Sequence, residues 1–258
     1  MDFVDVANIY QRYLSAEIDH TIAPDDGMYA SGPDWYFTVG ESGLTCILGA
    51  LVASKLGSVG ALLDLPSGHG RVARHLRAAF PDARLAACDL DESGVEFCAR
   101  HWNCEPIFSK PDLSSVELGG PYDVIWVGSL FTHVDEPLTR AWLAHLVNAL
   151  GDDGVLVCTL HGRWSLVVQE SYMRLIDDSS WQSVVSGYRQ TGYGFATYPN
   201  SDSYGISLSD PAWVVDAVGA LEGVRLLGYV ERGWADNHDV LVIGKTDRAK
   251  PWPNALNA

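Results

Sequence analysis

Gly68 and Gly70 bracket His69 in a short turn, and Asp89 ends the next apolar run. A turn of this kind places glycine where the backbone needs positive φ or must approach a ligand closely. Free N–H groups at the start of the helix that follows can hold an anionic group. An acid at the carboxyl end of the next strand can take ribose hydroxyls. Together these residues describe a nucleotide-type cofactor site. Three histidines, His69, His133 and His161, fall at the ends of strands on the same side, where an imidazole can carry a proton near neutral pH. No H-x-H or H-x₃-H spacing occurs, so no metal is expected.

The elements that must hold these residues follow from the hydrophobic period. Ala61 to Leu65 is a short apolar run of the buried parallel type. Val72, Leu76 and Phe80 share one helical face, and Pro81 stops that helix. Arg84 to Cys88 reads as the second strand, Pro106 to Ser109 as a short third, Tyr122 to Val127 as a strong fourth and "GVLVCTLHG" as the fifth. Helical faces stand between them at Val95, Cys98 and Trp102, and at Leu138, Trp142 and Leu146. Before the first strand, Met1 to Ile18 is weakly helical, "APDDGMYASGPDWYFTVGESG" is loop-like, and Leu44, Ile47, Leu48 and Leu51 give a helix ending near Gly57.

After the fifth strand the alternation breaks. One helix is expected over Trp164 to Ile176, through Leu166, Val167, Tyr172 and Leu175. "SGYRQTGYGFATYPNSDSYGISLS" then reads as irregular. Asp210-Pro211 starts a helix reaching Leu221. Val224 to Val230 and Asp239 to Lys245 form two closing strands on a short connection, hence antiparallel. The expected division is a helical, cofactor-covering segment (1–57), a core (58–163), an insertion (164–209), a closing part (210–246) and a frayed tail (247–258).

Asp64-Leu65-Pro66-Ser67-Gly68-His69-Gly70 resembles the D/E-x-G-x-G-x-G loop of class I S-adenosylmethionine-dependent methyltransferases. Pro66 replaces the first glycine; it fixes φ and donates no N–H, so the chain enters the turn differently. The same stretch fits a loose dinucleotide fingerprint, Gly68-His69-Gly70-Arg71-Val72-Ala73, with Asp89 at a suitable remove. The resemblance to the methyltransferases spans Leu44 to Lys245. It implies a three-layer, Rossmann-like α/β sheet, mostly parallel with an antiparallel last strand, preceded by helices and carrying an insertion after strand five.

The resemblance also implies S-adenosyl-L-methionine held by Asp64, Ser67, Gly68, Gly70, Asp89, Leu90, Asp112, Leu113, Ser129 and Leu130. Asp89 would take the ribose, and Asp112 with Leu113 the adenine. An otherwise unremarkable turn-capping Asp is the alternative at Asp112. Methyl transfer needs alignment more than covalent help. His133 is the first choice for a base at the acceptor, set against a helix-start residue packing on the cofactor; His161 is the second. Trp35, Tyr36, Tyr193, Tyr198 and Tyr204 are the candidate acceptor wall, with packing of the insertion or a homodimer contact as the alternative. The expected activity is O- or N-methylation of a small molecule, such as a sugar or natural-product intermediate. A non-catalytic cofactor-binding protein and an NAD(P)-dependent oxidoreductase are the other readings.

A net charge of −16 over 258 residues argues against nucleic acid or anionic membrane partners, which call for clustered Lys and Arg. The five cysteines show no C-x-x-C spacing and sit mostly in apolar runs, as free thiols in a reducing, cytoplasmic setting would. No basic leader with an apolar run begins the chain, and no run reads as membrane-spanning.

Overall fold

The computed structural model describes residues 3–54, 56–171, 176–201 and 203–246. Its centre is a seven-stranded sheet. β1 (Ala61–Leu65), β2 (Arg84–Asp89), β3 (Glu105–Phe108), β4 (Tyr122–Val127) and β5 (Leu150–Leu160) run parallel, in the order β3-β2-β1-β4-β5. Writing the last two strands as β8 (Val224–Trp234) and β9 (His238–Lys245), β9 inserts antiparallel between β5 and β8. The Rossmann-like fold class is thus observed, reversed strand included. The strand order turns at β1 and β4, the place where an open α/β sheet leaves a crevice at its carboxyl ends.

Alternation along the buried strands sorts their side chains to two faces. Leu62, Leu85, Val124 and Trp126 pack under α2 (Pro33–Ala53), α3 (Ala73–Ala79) and α4 (Glu92–Trp102). Leu63, Ala86, Ile125 and Val127 pack under α5 (Glu136–Ala149) and α8 (Pro211–Gly219). Helix α1 (Val6–Ser15) turns Ile9 and Tyr13 onto the first face.

Two expectations are corrected. The stretch from Pro33 to Gly43 is no loop: it is the first half of α2, with Pro33 in its first turn and Asp34 beside the positive helix end. Its glycines suggested a loop, but they are packing positions. A Cβ on Gly40 would run into the Arg71 carbonyl and the His75 ring. Helix α2 is also long and apolar enough to cross a membrane by length and composition, against the expectation that no run is. Tyr36, Leu44, Ile47 and Leu51 are nevertheless buried on the protein's own core.

The segment after β5 is also more ordered than its composition suggests. Beyond α6 (Arg163–Ser171), α7 (Asp178–Thr191) starts on Asp177, whose carboxylate accepts the Ser179 and Ser180 N–H groups, and ends at Gly192 in the left-handed region. A hairpin of β6 (Tyr193–Thr197) and β7 (Gly205–Ser209) follows. Trp181, Val184, Ile206 and Leu208 give helix and hairpin a small core of their own. Glycine is needed at 194 because a Cβ there would strike the Val184 carbonyl of α7. Tyr172, Leu175 and the tail 247–258 lie outside the described residues.

Candidate active site

The turn after β1 is held by three backbone contacts: Ser67 N–H to Cys88 O at 2.9 Å, Gly70 N–H to Ser67 O at 2.9 Å, and Gly68 N–H to the Asp89 carboxylate at 2.6 Å. Both glycines have positive φ, +48° at Gly68 and +77° at Gly70, but they serve different purposes. A Cβ on Gly70 would enter the Trp102 ring, so packing calls for glycine there, and Gly70 is in the wall of neither cleft described below. A Cβ on Gly68 would meet nothing within 4 Å, and Gly68 faces a cleft.

Two clefts, of about 780 and 850 Å³ and open to solvent, adjoin at the carboxyl ends of the strands. The first is apolar, walled by Leu65, Leu90, Leu113, Leu130, Leu138 and Trp142. Leu90 is 58% exposed there, a surface leucine awaiting a cover. Asp112 is in the wall of neither cleft, although its neighbours Pro111 and Leu113 line the first. Its carboxylate accepts the Ser114 N–H at 2.9 Å and the Trp142 indole N–H at 3.3 Å. The second cleft is polar and aromatic, with Tyr36, Asp64, Ser67, Gly68, Arg71, Trp126, Ser129, His133 and Trp234 on its walls. Pro66, Asp89 and Tyr204 belong to both.

Asp64 is 1% exposed, and its Oδ2 has no hydrogen-bond partner. Burial, with the Asp89 charge adding, pushes its carboxyl up to about 8. Arg71, in the turn before α3, and Arg74, in its first turn, differ sharply. Arg74 spends its donors on the carbonyls of Gly70, Asp19 and Thr21 and on the Tyr36 hydroxyl. Arg71 faces Tyr36, Asp26 and Asp64 within electrostatic reach, yet its guanidinium makes no hydrogen bond among the described residues. Burial lowers its pKa for the same reason it raises that of Asp64: a charge is held away from water.

The hairpin is tied to the sheet's carboxyl end. Gly205 N–H donates to His133 O at 2.8 Å, Ser207 N–H to Thr132 O at 3.0 Å and Ser209 N–H to His161 O at 2.9 Å. His133 Nδ1 lies 2.9 Å from the Gly205 carbonyl and 2.9 Å from the Tyr198 hydroxyl. A carbonyl only accepts, so Nδ1 carries the proton and Nε2 keeps its lone pair. Burial lowers the pKa of His133, offset in part by the Gly205 carbonyl. The ring is therefore neutral and able to accept a proton.

Not every expected site residue is brought here. His161 sits behind His133 with ring centroids 6.1 Å apart, gives its Nδ1–H to Ser207 O and lines neither cleft; burial holds it down at about 3. Tyr193 is buried against Trp213, its hydroxyl bonded to Thr139 and to the Val134 carbonyl, so it is a strut of the insertion. Trp35 is 49% exposed and outside both clefts, because the helical turn that buries Tyr36 points its neighbour outward. Arg71, Trp126, Trp142 and Trp234 were not foreseen. Trp126 and Trp142 fit the apolar patterns of their strand and helix, and nothing in such a pattern separates a wall from a core. Arg71 alone had a signal, as a cation directly after the glycine turn.

Residues 63–156, from β1 to β5, match a methyltransferase domain family. A malonyl-[acyl-carrier protein] O-methyltransferase of Hahella chejuensis is 30% identical over 100 residues, which are 38% of this chain and 35% of that protein. The chain thus spans about a third of that curated relative's length. Among solved structures, a S-adenosylmethionine-dependent methyltransferase from Clostridium acetobutylicum superposes with a TM-score of 0.54 at 12% identity, covering 93% of this chain and 98% of the other. A SAM-bound amino pentose methyltransferase from Micromonospora echinaspora gives 0.53 at 18%, covering 90% and 100%. These two likenesses are of fold. Residues 63–156 thus match a methyltransferase domain, and the chain as a whole, reversed strand included, has the fold of these S-adenosylmethionine-dependent methyltransferase structures.

Proposed function

We propose that the protein is a methyltransferase acting on a small-molecule oxygen or nitrogen acceptor, with S-adenosyl-L-methionine as donor. The residues present fit that cofactor. Its amino-acid end carries an ammonium and a carboxylate, and the second cleft offers an unpartnered Asp64 Oδ2 and an Arg71 guanidinium that lies over the Trp234 ring and makes no hydrogen bond among the described residues. The space over Gly68, which a Cβ would fill, admits close approach of a ligand. Asp89 suits the ribose; Leu90, Leu113, Leu130 and Trp142, with Asp112 next to Leu113, suit an adenine ring. The bound cofactor supplies an electrophilic methyl group.

What the protein adds is alignment and proton handling. The observation that carries the reading is His133, whose Nδ1 is engaged by the hairpin while its ring lines the cleft of Asp64 and Gly68. Nε2 is then the nitrogen left to take a proton from the acceptor. In this reading Tyr36 and Tyr204, in the wall of that cleft, would position the acceptor, with Tyr198 acting only through its bond to His133, and free cysteines fit a reducing compartment. Incubation with methyl-labelled donor and a fractionated pool of sugars and aromatic metabolites tests the reading. Label in a small molecule supports it; tight S-adenosylhomocysteine binding with no transfer to any fraction would favour the non-catalytic alternative.

A further inference from the structure

We propose that Tyr204 is a bar across the cofactor trough, swinging aside to admit the donor and closing over its ribose afterwards. The inference rests on the cofactor reading above. The two clefts meet at Pro66, Asp89 and Tyr204. Pro66 and Asp89 come from the ends of β1 and β2 and make the floor, whereas Tyr204 comes from the hairpin tip and makes the roof. Its ring lies 4.7 Å from that of His133, and burial, then the neighbouring Tyr198 and Asp89, raise the pKa of its phenol. The bar therefore spans from the β4 side of the crevice toward the β2 side.

The main chain around it is pinned. Tyr204 N–H donates to Ser201 Oγ at 2.9 Å, Tyr204 O accepts the Tyr198 N–H at 3.0 Å, and Gly205 bonds to His133. The phenol has no hydrogen bond among the described residues, and the residue is 40% exposed. Rotation of the side chain is thus the cheap motion, and movement of the hairpin the costly one. A single molecule with its nucleoside in the apolar cleft and its amino-acid end beside Asp64 has to pass the line that Tyr204 occupies.

Titration calorimetry of the wild type with S-adenosylhomocysteine comes first; lack of binding there fails the cofactor reading and not this one. Stopped-flow tryptophan fluorescence then follows association and release, since Trp142 and Trp126 line the two clefts. Tyr204→Ala should speed both steps, release by ~10-fold or more, so that Kd changes less than either rate. Tyr204→Phe, which keeps the ring, should stay within ~2-fold of the wild-type association rate. Wild-type rates in Tyr204→Ala, or slower association alone, would overturn the proposal. Circular dichroism checks folding, and Tyr204→Leu repeats the test should the alanine variant not fold.

Discussion

Asp89 accepts the Gly68 N–H at 2.6 Å, so the acid that ends β2 also shapes the turn that follows β1. Its other oxygen takes the Asp91 N–H at 2.9 Å. Each oxygen keeps a lone pair for a ribose hydroxyl, and the charge strengthens every bond it makes. Asp89→Asn removes the charge and offers an amide donor where acceptors are needed. S-adenosylhomocysteine affinity should fall ~10–100-fold, the loss of roughly 1.5–3 kcal/mol that hydrogen bonds to a charged group carry. Calorimetry on the folded variant decides; unchanged affinity would take the ribose away from Asp89.

The two turn glycines should separate stability from binding. Gly70→Ala meets both the left-handed backbone and the Trp102 ring, and should cost ~2–4 kcal/mol of stability. Gly68→Ala meets only the backbone term, ~1–2 kcal/mol, but its methyl projects into open space at the cleft. Thermal melts should therefore rank Gly70→Ala as clearly the less stable, while S-adenosylhomocysteine titration ranks Gly68→Ala as the clearly weaker binder of the two folded proteins. Equal melting temperatures would refute the division of labour.

How far the sequence carried the structure depended on whether a residue's signal was local. β1, β2, β4 and the reversed pair β8–β9 were legible because apolar period and short connections are local properties. The turn and Asp89 were legible for the same reason. The insertion was not, because Gly194 is dictated by the approach of α7, far from anything its neighbours encode. Gly40 misled in the same way, reading as a loop when it lets α2 rest on the turn. In the site, Arg71 and Arg74 look alike in sequence, but partners distant in sequence, the Asp19 and Thr21 carbonyls and the Tyr36 hydroxyl, occupy Arg74, while Arg71 has no hydrogen bond among the described residues.

Asp64 makes stability and binding depend on pH in opposite senses. Its carboxyl is raised from 3.8 to about 8 in the folded protein, first by burial. The unfolded chain gives up this proton near pH 3.8 and the folded one only near 8, so the group's stabilising contribution is full below the first value and is lost as pH rises through the second. Asp64→Asn stays neutral throughout, so its melting temperature should gain on the wild type as pH is raised across that window. A cofactor ammonium beside Oδ2 favours the ionised form, so S-adenosylhomocysteine binding near neutral pH should release up to about one proton. Calorimetry in buffers of different ionisation enthalpy measures that number. It should shrink above about pH 9 and be missing in Asp64→Asn; no proton release in the wild type would mean that the ammonium lies elsewhere.

His133 is the residue on which the acceptor chemistry turns. Its Nδ1–H is shared by the Gly205 carbonyl and the Tyr198 hydroxyl, and burial lowers its pKa, so Nε2 is free and unprotonated at neutral pH. A base works only when unprotonated, so turnover should rise with pH through the His133 pKa and be level above it. With that pKa below the ordinary imidazole value of 6.5, the acidic limb should lie below 6.5 as well. His133→Ala should cut turnover by ~10²–10⁴-fold and remove this limb while donor affinity holds. Tyr198→Phe should do far less, because the Gly205 carbonyl still fixes the tautomer. A parallel fall of donor affinity and turnover in His133→Ala would instead make the ring a packing surface for the cofactor. If neither falls, His161 is no substitute: it lies behind His133, outside both clefts. Proton transfer would then have to use the tyrosines of the hairpin or the acceptor's own acidity.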